Sequence, residues 1–165
     1  LAKSQDGAQA KKLAVEVASS EKVPTAMRDE ALRLAEQRDM EGKPLQLPGI
    51  DFNKYKGKPL LLYTWTSKRP DIFESVRQWS RDGVECVGIN LDTDSDIARS
   101  LVLKTKPPGT QLYEKPGGPI IQALKSGSAP VIYIFDDKGI LRDTNGYVNT
   151  RGKLKQLVED KKGKS

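Results

Sequence analysis

A chain of 165 residues can form one domain with a substantial core and an appendage. Its hydrophobic share of 36% and charged share of 30% mark a globular chain with a heavily charged surface, and no apolar run approaches the ~20 residues of a membrane-spanning helix. With no histidine and a single cysteine, Cys86, the sequence excludes an internal disulfide, Cys/His zinc sites, and histidine-assisted serine or cysteine catalysis. No metal or cofactor is expected.

The net charge of +6 is spread along the chain, with a denser group at the end: Lys153, Lys155, Lys161, Lys162 and Lys164. That pattern reads as a solvated final helix with a frayed basic tail, and not as a nucleic-acid site. The chain starts at Leu1, which suggests a processed or trimmed chain, so an absent leader carries no weight.

In chain order, residues 1–41 are rich in strong helix formers and divide at Pro24-Thr25, with Thr25 as an N-cap. Met27, Ala31, Leu34 and Ala35 recur at helical spacing, so a helical hairpin is expected. After the loop "EGKPLQLPG" the pattern changes to alternating strands and helices over residues 42–160, ahead of a basic tail at 161–165. Leu60–Trp65 and Val84–Leu91 are near-continuous apolar runs, as in strands covered on both faces. Between them, Ile72, Val76 and Trp79 mark a helix over 70–81. The resulting strand-helix-strand unit implies parallel pairing. Val131–Phe135 and Ile140–Thr144, joined by "DDKG", read as an antiparallel hairpin. A last helix follows from Thr150, with Leu154, Leu157 and Val158 as its buried stripe. The fold class expected is α/β: a mixed sheet with helices on both faces, preceded by the helical hairpin.

This order, with a proline before the third strand, resembles the thioredoxin fold. The wording "YKGKPLLLYTW", "VECVGINLD" and "APVIYIFDDKGIL", with "PPGTQLYE" between the last two, is similar to bacterial extracytoplasmic thiol-disulfide oxidoreductases and their redoxin and alkyl hydroperoxide reductase relatives. The resemblance implies an extracytoplasmic location. It also implies a Cys-x-x-Cys pair at the start of the helix after the tryptophan. Here the segment reads "YTWTSKRPDIF", with Arg69 and Ile72 at the two cysteine positions and Pro70 and Asp71 between. Arginine cannot attack a disulfide or a peroxide, and isoleucine cannot resolve a mixed disulfide. No catalytic residue is therefore expected. Cys86, set among Val84, Val87, Ile89 and Leu91, reads as an inert core thiol.

The resemblance further implies that Pro130 is cis and faces the helix-start turn, where the backbone before it can pair with an extended peptide. Ser67, Lys68 and Arg69 beside a helix start could also hold an anion, although Asp71 and Glu74 oppose one. Asp92, Asp94 and Asp96 lack the glycine and glutamate of a calcium loop, and Asp94 or Ser95 is expected to cap the next helix. "YEKPGGP" reads as a connector. The functional expectation is a redox-inactive thioredoxin-like module that binds an extended segment of a partner protein. Its binding residues would be Trp65, Ser67, Lys68, Arg69, Pro70, Ala129 and Pro130. The alternative is an oxidoreductase whose thiol chemistry lies in a partner, in another domain or in Cys86.

Overall fold

Strand β1 (Leu60–Trp65) is buried at all six positions, and the rest of the sheet is built outward from it. The computed structural model describes residues 2–81, 83–126, 128–144 and 149–163, with side chains from residue 8 onward. Lys164 of the basic group lies outside the described residues. The chain divides into two compact units, Leu1–Glu41 and Gly42–Ser165.

The first unit holds α1 (Ala2–Ala18) and α2 (Thr25–Met40), tied by an ion pair from Lys11 to Asp39 at 2.5 Å. Helix α2 begins at Thr25, with Pro24 in the capping position and no side-chain cap. The stripe expected on α2 is only half buried. Ala35 is enclosed, whereas Met27 and Leu34 are 61% and 45% exposed.

In the second unit the strand order is β3-β2-β1-β4-β5, with β2 at Glu85–Asn90, β3 at Thr110–Tyr113, β4 at Ile132–Phe135 and β5 at Leu141–Asp143. Strands β1, β2 and β3 run parallel, while β4 pairs antiparallel with both β1 and β5. Helices α3 (Ile72–Trp79) and α4 (Ser95–Thr105) make successive crossovers that step outward in one direction. Right-handed connections then put both on the same face. That face carries Leu61, Tyr63 and Trp65, the inward set of a period-2 strand. They pack with Ile72, Phe73 and Val76 of α3, Ala98 of α4, and Leu154 of α6 (Thr150–Lys162). The opposite face receives smaller pieces. Phe52, in a 3-10 turn at Phe52–Tyr55, stacks tilted on Phe135 at 5.0 Å, and Tyr133 donates to the Leu124 carbonyl just after α5 (Pro119–Ala123). The mixed sheet and flanking helices are those expected, but the long helices favour one face.

Three elements depart from the sequence reading. Strand β3 falls in a stretch left without an element, because its four residues form an edge strand and two of them are polar. The segment "YEKPGGP" does more than connect. The Glu114 carboxylate turns back and accepts the amide N–H groups of Ile120 and Ile121 at 2.9 and 3.0 Å, supplying partners for the open start of α5. Helix α6 runs to Lys162, two residues into the stretch read as a tail.

Candidate functional site

The turn after β1 is held from below and from the side. Beneath it, Trp65 is fully enclosed, with its ring edge-on to Phe73 at 4.8 Å. The Trp65 indole N–H donates to Gln111 Oε1 at 3.0 Å. The Gln111 amide in turn donates to the Tyr63 hydroxyl and the Pro108 carbonyl, both at 2.9 Å. This chain of bonds satisfies two aromatic polar atoms that burial would otherwise make costly. Trp65 therefore supports the turn and presents no contact surface, contrary to its expected place among the binding residues.

From the side, Asp92 fixes the turn. Its carboxylate accepts the Ser67 amide at 2.8 Å, the Ser67 hydroxyl at 3.1 Å and the Asn90 side-chain amide at 2.8 Å. Asp94 caps α4 by accepting the Asp96 amide at 2.9 Å. Two of the three acids thus have structural partners, and among the described residues no group of His, Cys, Asp and Glu is arranged to hold a metal ion.

Arg69 sits at the exposed rim and donates through Nε and a terminal nitrogen to both oxygens of Asp71, at 3.0 and 3.1 Å. These bonds hold the Asp71 carboxyl below its usual range. Two of the three side chains that suggested an anion site are thereby occupied, while Lys68 stands exposed. Ser67 gives its donors to Asp92, and the Arg69 charge meets a resident carboxylate. Ile72, expected at the second cysteine position, is 3% exposed and belongs to the core cluster.

The Ala129–Pro130 peptide is cis. The next residue is clamped to β1: Thr64 donates its amide to the Val131 carbonyl at 2.9 Å, and the Val131 amide donates to Thr64 Oγ1 at 2.8 Å. Residues 129–130 and the turn at 66–70 therefore share the C-terminal end of β1. Ala129 and Pro130 are half-buried and Ser128 is exposed. Among the described residues, no hydrogen bond engages the Ala129 backbone.

Cys86 lies at the other end. It pairs with Leu61, four residues back along β1 from Trp65, so about 13 Å of strand separates it from the turn. It is 5% exposed, and burial pushes its thiol up to about 11, leaving almost no thiolate at neutral pH.

No protein-family model matches the chain, and no curated protein does either. Solved structures do. The C-terminal domain of a candidate thiol-disulfide oxidoreductase from Bacteroides thetaiotaomicron superposes with a TM-score of 0.62 at 17% identity, covering 73% of this chain and 97% of that one. A secreted disulfide oxidoreductase of Mycobacterium tuberculosis, described as homologous to DsbE, gives 0.52 at 23% identity over 71% and 93%. A thiol-disulfide isomerase from Corynebacterium glutamicum gives 0.54 at 14% identity over 71% and 96%. The strand order, the cis-proline beside the helix-start turn and these superpositions together establish the fold: the second unit is a thioredoxin-like domain, resembling thiol-disulfide oxidoreductases in fold, in a chain whose single cysteine leaves no room for a Cys-x-x-Cys pair.

Proposed function

We propose that this domain binds an extended segment of a partner protein and performs no thiol chemistry of its own. The observation that carries this reading is the Ala129 backbone, unengaged by the described residues beside a rigid, cysteine-free turn. Backbone without an internal partner next to a fixed rim suits main-chain pairing with a peptide, as in strand addition. Ser67, Lys68, Arg69 and Pro70 would form one wall of the contact and Ala129 with Pro130 the other. Internal pairing of Arg69 with Asp71 favours a ligand of low net charge. An extracytoplasmic location is part of the proposal, supported by the secreted Mycobacterium neighbour. The neighbours' names favour a second reading, in which redox chemistry resides in a partner or another domain.

The test has two arms. The purified chain and Cys86→Ser are assayed for reduction of insulin disulfides and for hydrogen peroxide consumption, with no turnover expected from either. Turnover lost in Cys86→Ser would overturn the redox-inactive reading. The second arm titrates an array of uncharged extended peptides against the isotopically labelled chain. Amide shifts confined to residues 66–70 and 128–131 are expected, and binding with shifts elsewhere would remove the assigned surface.

A further inference from the structure

At the far end of α3 from the turn lies a groove of about 500 Å³ that the cis-proline reading does not involve. Trp79 closes α3, the chain turns, and β2 begins six residues later, while α6 passes alongside. Trp79, Val84, Leu154 and Val158 form an apolar floor. Among the described residues, four cations, Arg81, Arg151, Lys155 and Lys162, line it against one carboxylate, Glu159. Lys155 pairs with Glu159 at 3.6 Å. Among the described residues Arg81, Arg151 and Lys162 have no hydrogen-bond or ion-pair partner.

We infer that this groove is a second binding site, for an acidic peptide segment carrying large apolar side chains. The dimensions select a peptide. Arg151 and Lys162 are eleven residues apart on α6, about 16 Å along the axis, which is too far for one small carboxylate and matches about five residues of extended chain. The apolar floor selects the side chains, since Trp79, Val84 and Val158 remain partly accessible over the enclosed Leu154. A duplex would need a continuous cationic track without Glu159 in its path, and a bilayer would need apolar groups that protrude, whereas Trp79, Val84 and Val158 are partly buried. Rim cations of this kind steer an acidic partner while the floor holds it.

The probe is the capped peptide EEFDLE, titrated into the full chain and followed by Trp79 fluorescence and by amide shifts. The expected result is saturable binding with shifts at residues 78–84 and along α6. The combined substitution Arg81→Ala, Arg151→Ala and Lys162→Ala should weaken it about tenfold, as three partly exposed ion pairs together would. All three side chains are solvent-exposed, so the fold is not at stake, and shift mapping on the unaltered chain gives an independent readout. Equal binding of EEGDGE would overturn the proposal, since the floor would then contribute nothing. So would displacement of the peptide by a short DNA duplex or by phosphatidylglycerol vesicles at equal charge, or shifts confined to 66–70 and 128–131. Failure of the cis-proline site to bind uncharged peptides leaves this groove's test unaffected.

Discussion

Gln111 joins a surface strand to the two largest aromatic side chains of the core. Its amide is the hub between the Trp65 indole, the Tyr63 hydroxyl and the Pro108 carbonyl. Gln111→Leu would leave the indole N–H buried without an acceptor, a loss of about 1–3 kcal/mol in stability. Urea unfolding of the variant should show it as a lower midpoint at unchanged slope, and a midpoint equal to the parent's would refute the hub. Cys86 offers a second check at this scale. Its thiol rises from 9.0 when unconstrained to about 11 in the fold, so above pH 9 the unfolded chain sheds a proton that the folded chain keeps. The stabilisation is complete below pH 9 and disappears as pH climbs to about 11, at most about 3 kcal/mol. Burial also raises the Tyr63 hydroxyl, which acts in the same alkaline direction. The comparison with Cys86→Ala therefore isolates the thiol: the variant should lose less stability between pH 9 and 11, and parallel curves would contradict it.

At the scale of elements, the approach of β3 to β2 depends on one residue. Gly109 has φ of +79°, and a Cβ there would stand 2.0 Å from the Cys86 carbonyl oxygen, which is backbone and cannot swing aside. Gly109→Ala should cost about 3 kcal/mol or more and detach the edge strand first, visible as faster amide exchange at residues 110–113 than in the rest of the sheet. Legibility followed the same division. β1 and β2 were readable because burial on both faces leaves continuous apolar runs. β3 was not, because Thr110–Tyr113 owe their pairing to where α4 returns the chain and carry no such run. The turn was half legible. A polar turn after Trp65 is legible in "TSKRPD", whereas the tie from Asp92 to Ser67 spans 25 residues and depends on the register of two strands. The burial of Trp65 is legible in the sequence, since a strand covered on both faces over Leu60–Trp65 encloses it whichever face it takes.

For the whole molecule, the sheet, its covering helices and the turn all lie within Gly42–Ser165. That segment expressed alone should unfold in a single cooperative transition, and a broad, probe-dependent melt would show that residues 1–41 are needed for its folding. The fold also keeps its one cysteine away from the turn after β1, at the opposite end of the strand pair. A single enclosed thiol leaves this stretch of chain no internal cross-link to make or break, so it should melt at the same temperature with and without reductant. The same contact surface would then be offered in an oxidising compartment and in a reducing one. The folded state of this domain would be blind to the redox state of its surroundings.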